Sequence, residues 1–485
     1  NSEKEFSVEE FEKYRLDFLT ARNSLQLAEA EFKHVIPEKL PVQIRGPVKE
    51  YEETLSTSEK NLELFADGLV SLPDMMGIDS PKKYLILFQN SNELRPTGGF
   101  IGSYALLELE KGKIKNLYID DIYNPDGQID ERELVTPEPP APVKDFLKEE
   151  KLYLRNANWN PGFPQSAREI QDLYYLITGT RTDGVIAIDL FFAKNMLEVT
   201  GPLFLTAYNE EISADNLYER AQFYSEFNYT NGSDQKRSFL TVLGGKLLEK
   251  MFALPTEKLP RFWGEVHESL EQRHLQVYLS NNSLGAVLQR EGWDGSLAAT
   301  DKDYLYVVNA NLGGNKANYF IDNSMKYEVL SETRDGVLRG VLTLSYIHNG
   351  TGTAWPGGVY TDYVRIITQN GTKLTGAKMK YPDREEDIFE KMVIGKAGSY
   401  NSFETSFLLE PQKSVQLTVT YDLPTVLSVT KENMNYGLYW QKQPGTHDDI
   451  YSFLFNAPFG LVSDQKSFEG VLNADKQINI MMDPQ

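Results

Sequence analysis

Along this chain the spacing of apolar residues changes twice, and that succession restricts the fold more than any single motif does. Between Ser7 and Val35, the residues Phe11, Tyr14, Phe18, Ala21, Leu25, Ala28 and Phe32 recur at steps of three and four with no Gly or Pro among them. That is the period of an amphipathic helix with one packing face. A second helical stretch runs from about Pro47 to Val70, and Pro37, Pro41 and Pro47 punctuate the connection, so residues 1–80 read as a helical hairpin or stalk.

From Lys83 the pattern changes. Tyr84 to Phe88 is a strand-sized apolar run, Gln89 to Gly99 is a polar loop, and Phe100 to Leu109 is a second strand ending at the turn Lys111-Gly112-Lys113. An acidic loop, Asp120 to Asp130, and a Pro-rich stretch, Pro137 to Pro142, precede a helix over Pro164 to Thr178 and a short strand at Gly184 to Ile188. Helices at Leu190 to Val199, Ala214 to Phe227 and Gln235 to Phe252, with strands at Leu203 to Ala207 and Tyr304 to Val308, complete an α/β domain spanning 81–320. Beyond Asn318 the signal is strands broken by Gly, Asn and Pro: Val337 to Ile347, Tyr360 to Ile367, Ser402 to Leu409, Ser414 to Tyr421, Tyr436 to Gln441 and Tyr451 to Phe455. Residues 321–485 therefore read as a β-sandwich of immunoglobulin or fibronectin type. Asn349-Gly-Thr and Asn370-Gly-Thr fit glycosylation acceptors, but an Asn-Gly pair between strands is more simply a turn.

Several function classes drop out on composition. A length of 485 residues exceeds what one hydrophobic core supports. Forty-nine Lys and Arg against 70 Asp and Glu leave a net charge of −21, the wrong sign for holding a polyanion, which argues against nucleic acid and anionic membrane as bulk partners. With no Cys there are no disulfides, thiolate metal sites or cysteine nucleophiles. No apolar run approaches the roughly 20 residues that span a bilayer. The first residue is Asn1, so a membrane anchor removed before it is expected.

No phosphate-cradling loop, paired-His zinc helix or nucleophile elbow is present, and the five His are scattered. The densest polar stretch follows the Tyr84 strand. Asn90, Asn92, Glu93, Arg95 and Thr97 crowd its C-terminal end, the edge where open α/β sheets bind ligands, and Arg95 offers a fork of donors suited to phosphate or carboxylate. The alternative is a hydrogen-bonded turn with Arg95 paired to Glu93 or another acid. Asn309 to Asn318 follows the Tyr304 strand, and Asn309, Asn311 and Lys316 reach the same edge if the two strands are parallel neighbours; a capped turn is the competing reading. The Asp120 to Asp130 loop reads as solvated, as a Ca²⁺ loop without EF-hand spacing, or as a Mg²⁺ site shared with substrate.

The run Lys83 to Gly102, with Asn158 to Pro164, Asp183 to Asp189, Gly201-Pro202, Asn309 to Asn318 and Lys442 to Gly445, closely resembles a bacterial family of extracytoplasmic proteins of unknown function with an Asn-x-Asn-Glu-Leu-Arg-x-Thr-Gly-Gly-Phe signature. That resemblance implies an N-terminal membrane segment and a location at the cell surface or wall. More distantly, the order of elements is similar to the LytR-CpsA-Psr family, which transfers lipid-pyrophosphate-linked glycopolymers to the bacterial wall. By that similarity Arg95 and Arg237 sit on the pyrophosphate, and Asp120, Asp121 and Asp234 lie nearest a divalent cation, Mg²⁺ before Ca²⁺. The sequence departs from that family where Pro96-Thr97 replaces its Asp-Thr, where Tyr118 to Asp121 replaces its Pro-Arg-Asp, and where only Arg220 and Lys236-Arg237 remain before the last helix. Removing one such donor typically raises a barrier by about 2.7–4 kcal/mol, so the depleted set favours binding over catalysis. Two functions are therefore expected in order: a membrane-anchored envelope module binding a glycopolymer or surface protein, and a metal-dependent phosphotransferase or pyrophosphatase acting on a lipid-linked pyrophosphate.

Overall fold

The computed structural model describes residues 8–36, 39–227, 239–280, 283–331, 337–352, 357–427, 429, 434–458, 460–463 and 466–484. Helices α1 (Val8–Phe32) and α2 (Val42–Met75) form the expected hairpin. Contacts between Phe32 and Tyr51, Gln26 and Glu59, and Arg22 and Glu63 run in opposite directions along the two helices, which makes the pair antiparallel. Among the described residues no helix is long and apolar enough to cross a membrane.

The central sheet is mixed. Strands β1 (Lys82–Asn90), β2 (Phe100–Glu110), β3 (Lys113–Asp121), β4 (Gly184–Ile188) and β5 (Leu275–Leu279) lie in the order β3-β2-β1-β4-β5, with β1 and β4 parallel and the other neighbours antiparallel. The remaining helices are α3 (Tyr123–Glu131), α4 (Ala141–Leu147), α5 (Phe163–Thr178), α6 (Leu190–Thr200), α7 (Leu217–Phe227), α8 (Phe239–Phe252), α9 (Leu259–Glu271) and α10 (Ser283–Arg290). Alternation along β1 feeds both faces: Tyr84, Ile86 and Phe88 pack with α6 and α8, whereas Leu85 and Leu87 pack with α3 and α5. Leu203–Leu205 pairs in a small separate hairpin with Glu210–Ile212.

All-strand structure follows from Asp303 onward. The strands are β6 (Asp303–Asn311), β7 (Ile321–Ser331), β8 (Leu338–His348), β9 (Tyr360–Thr368), β10 (Lys373–Lys380), β11 (Glu385–Asp387), β12 (Val393–Ala397), β13 (Tyr400–Leu409), β14 (Ser414–Asp422), β15 (Asn435–Gln441), β16 (Ile450–Phe455), β17 (Leu461–Ser463), β18 (Ser467–Val471) and β19 (Lys476–Pro484). Among the described residues they make two seven-stranded sheets, β11-β10-β14-β8-β7-β16-β18 and β12-β13-β9-β6-β15-β19-β17, around one shared core. This is larger than an immunoglobulin domain of seven to nine strands, and its β6–β15 and β7–β16 pairs are parallel.

Two expectations are corrected here. The strand at Tyr304 belongs to the sandwich and not to the α/β sheet, so the change of architecture falls between Leu279 and Asp303. The acidic loop is in large part helix α3: Asp126 accepts from Leu154 N at 2.7 Å and pairs with Arg155 at 2.9 Å, while Ile129 is fully buried beneath it. Those tertiary contacts override a sequence containing Asn124, Pro125 and Gly127.

Candidate functional site

The polar stretch after β1 folds onto itself before it touches anything else. Asn90 Oδ1 accepts from Asn92 N at 3.1 Å, Glu93 N donates to Asn90 O at 3.1 Å, and Phe100 N donates to Glu93 O at 2.8 Å. Gly99 is required at the close approach, because a Cβ there would overlap the Asn90 carbonyl. The turn places Arg95 inward, only 2% exposed. Its Nη2 donates to Glu93 Oε1 at 2.9 Å, its Nη1 donates to the Asn311 carbonyl, and its Cζ lies 5.9 Å from the Phe100 ring centroid.

The sandwich closes over this loop. Asn311 N donates to Leu94 O at 2.9 Å, and Leu94 N donates to Asn318 Oδ1 at 3.0 Å. Asn311 Nδ2 in turn ties Asn315 and Asn318. Asn309 is bracketed by the Gln443 side chain, which accepts from Asn309 N at 2.8 Å and donates to Asn309 O at 2.7 Å. Gln443 also reaches the Arg95 carbonyl at 3.3 Å. Lys316 is driven down in pKa by burial, an effect that Glu93 partly offsets. Thr97 Oγ1 accepts from Asn158 Nδ2 at 3.1 Å, Thr97 O accepts from Gln276 Nε2 at 2.8 Å, and Gly98 lies so close to Gly445 that a Cβ on Gly445 would overlap its carbonyl.

Asn90, Asn92, Glu93, Arg95, Thr97, Asn309, Asn311 and Lys316 are thus brought together, though not by parallel neighbouring strands. The sandwich loops abut the C-terminal edge of β1 and β4, and the residues interlock in a buried seam. Arg237 and Asp234 lie outside the described residues. Asp120 and Asp121 stand at the end of β3, the edge strand, with partners of their own. Asp120 accepts from Tyr118 Oη at 2.7 Å and Asn124 Nδ2 at 2.6 Å; Asp121 accepts from Tyr123 N at 3.0 Å, and burial raises its pKa. Among the described residues no three His, Asp or Glu side chains are grouped to hold a metal ion.

Sequence reasoning missed the rest of the seam. Asp189 caps α6 through Phe192 N at 2.9 Å and meets His274 Nδ1 at 2.7 Å, both side chains almost wholly buried. Burial lowers the His274 pKa against the pull of Asp189. Arg273 pairs with Asp475 at 2.6 Å. Lys442, fully buried, is pushed down to about 8 by desolvation, and Asp449 is pushed up to about 6 by the same cause. The sequence signals for these positions were the family-like segments Asn158 to Pro164, Asp183 to Asp189 and Lys442 to Gly445; the contacts themselves join residues 85 to 348 positions apart and leave no local pattern.

An apolar cavity of about 20 Å³ lies between β1, β4, α6 and α8, lined by Phe88, Ile188, Leu243 and Leu247 with Gln89 and Asp189 at its polar side. It has room for about one water molecule, and Arg95 does not line it.

The architecture is therefore a mixed α/β sheet whose edge at the C-terminal end of β1 is covered by a β-sandwich. A family model described as a protein of unknown function, DUF4012, matches residues 79–224, the segment that contains the Arg95 loop. No curated protein matches the chain. Solved structures similar to parts of it include protein gbs0355 of Streptococcus agalactiae, at 14% identity over 44% of this chain and 74% of that one with a TM-score of 0.28. Protein lpg2210 of Legionella pneumophila is similar at 7% identity over 37% and 71%, with a TM-score of 0.24. An M1 zinc metallopeptidase of Deinococcus radiodurans follows at 10% identity over 36% and 40%, with a TM-score of 0.16. Likenesses this low carry no argument about function.

Proposed function

We propose that the chain is a non-catalytic, membrane-anchored binding module of the bacterial cell envelope, taking a glycopolymer or a surface protein. The observation that carries this reading is the burial of Arg95. A guanidinium that pairs with Glu93 and two backbone carbonyls, and that is 2% exposed, is committed to the fold and does not present its donors to a pyrophosphate. The envelope location rests on the family-like segments in the sequence. The second reading, a phosphotransferase or pyrophosphatase on a lipid-linked polymer, retains one support, the apolar cavity under the sheet edge, which is far smaller than a polyprenyl chain requires.

The test is to incubate the protein with Mg²⁺ and a lipid-pyrophosphate-linked saccharide, and separately to sediment it with purified envelope. Saturable co-sedimentation without release of phosphate, pyrophosphate or transferred saccharide is expected. Turnover above background would replace this reading with the enzymatic one.

A further inference from the structure

Apart from the seam, the corner between β3 and α3 carries a second arrangement of polar and aromatic side chains, and this one faces solvent. Tyr118 is 47% exposed and Tyr123 is 58% exposed, yet neither ring is loosely held. Tyr118 Oη donates to Asp120 Oδ2 at 2.7 Å, and its ring meets Tyr104 edge-on at 6.4 Å. Tyr123 lies 6.4 Å from Phe100 on one side, while the Arg155 guanidinium stands 5.3 Å from its centroid. Arg155 in turn stacks on Tyr153 at 4.0 Å and is pinned by Asp126 and Glu149, each at 2.9 Å. Asp120 joins the two tyrosines, because its other oxygen accepts from Asn124 Nδ2, next to Tyr123, at 2.6 Å.

We propose that Tyr118 and Tyr123, bridged by Asp120 and Asn124, form a platform for a neutral or amino-bearing saccharide chain; this rests on the binding-module reading and names the ligand class for it. The chemistry fits at three points. One face of a pyranose presents C–H groups that are partially positive, and an aromatic face is negative, so a half-exposed ring fixed in place offers stacking with little ordering cost. Hydroxyls around a sugar need acceptors, and Asp120 Oδ2 retains a lone pair beyond the bond it accepts from Tyr118, whereas Oδ1 already accepts from both Asn124 Nδ2 and Asp121 N. The carboxylates Asp120 and Asp121, on a chain of net charge −21, disfavour phosphate- or uronate-rich polymers and favour uncharged or aminated ones. A protein partner fits less well, because two rings framed by carboxylates do not make a continuous apolar face.

The experiment is calorimetric titration of the whole chain with an N-acetylglucosamine hexamer, its deacetylated form and poly(glycerol phosphate). The double variant Tyr118→Ala/Tyr123→Ala is run beside wild type, and Tyr123→Ala alone serves as the variant least able to disturb packing on Tyr104. Expected is binding of one or both hexamers, none of the phosphate polymer, and a loss of about tenfold or more in affinity at an unchanged melting temperature. Hexamer binding that survives both substitutions would overturn the platform. So would an absence of hexamer binding by a wild-type protein that still co-sediments with envelope, which leaves the binding-module reading standing. Envelope binding abolished by protease treatment of the envelope, with the tyrosine variants unaffected, would reassign the corner to a protein partner or to no ligand. Failure of wild type to bind either envelope or hexamer would remove both readings.

Discussion

Arg95→Ala is the perturbation that separates a structural clasp from an anion site. In the folded chain the guanidinium neutralises Glu93, itself only 7% exposed, and donates to the carbonyls of Leu94 and Asn311 across the junction between sheet and sandwich. Truncation leaves the Glu93 carboxylate buried without its nearest cation, and breaking such a pair costs about 3–5 kcal/mol. The lost carbonyl bonds overlap with that figure and are not added to it. For a cooperative unit of 150–250 residues a loss near 4 kcal/mol lowers the melting temperature by on the order of 10 °C. Urea and thermal unfolding followed by tryptophan fluorescence read this directly. Replacing both partners, as Arg95→Met with Glu93→Gln, should recover more than half of the loss, because no uncompensated charge then remains. If Arg95→Ala costs less than about 1 kcal/mol, the guanidinium is not holding the junction and the clasp reasoning fails.

Three further outcomes follow from the same geometry. Asp362 is buried with its Oδ1 accepting from Ala310 N at 3.0 Å, and burial raises its pKa to about 8; the folded state therefore keeps a proton that the unfolded chain loses near 4, and stability falls as pH rises between those values. Asp362→Asn should flatten that fall and leave the variant more stable than wild type at pH 9, as checked by urea midpoints; a variant that tracks wild type across the range contradicts the assignment. Burial holds His274 neutral below its ordinary value, so the unfolded chain binds the extra proton first and stability drops as pH falls through about 6.5; His274→Gln should lessen the drop between pH 6.5 and 5. Gly445→Ala, at φ 78° and against the Gly98 carbonyl, should cost about 2 kcal/mol or more in the same assay, whereas a neutral result would place the two loops further apart than the structure has them.

Much of the architecture was legible because local pattern and tertiary environment agree. The run Tyr84 to Phe88 reads as a buried strand and is one, paired in parallel with Gly184 to Ile188. The strand Asp303–Asn311 misleads for a physical reason: all nine residues are buried, since one face packs into the sandwich core and the other under Leu297, Ala298 and Tyr400, so it carries the continuous apolar signature of a parallel α/β strand. Leu275–Leu279 was missed because Gln276 interrupts a five-residue run, and that glutamine is buried, donating to Thr97 O. At the site, residue types located the cluster around Arg95, but type alone does not distinguish donors aimed at a ligand from donors aimed at backbone carbonyls of a segment 216 residues away. The sealing of the sheet edge by Gln443, Asn158 and Gly445 is a property of long-range packing, which carries no local period.

Thermal unfolding of the wild-type chain with Mg²⁺ and a short-chain polyprenyl pyrophosphate tests the central claim most directly, since a ligand that binds only the folded state must raise its melting temperature. With Arg95 closed into the junction, the transition should stay where it is at ligand concentrations up to the millimolar range. A concentration-dependent rise of several degrees that disappears in Arg95→Ala would mean that the sheet edge opens to an anionic ligand, and the account of a sealed, non-catalytic module would be wrong.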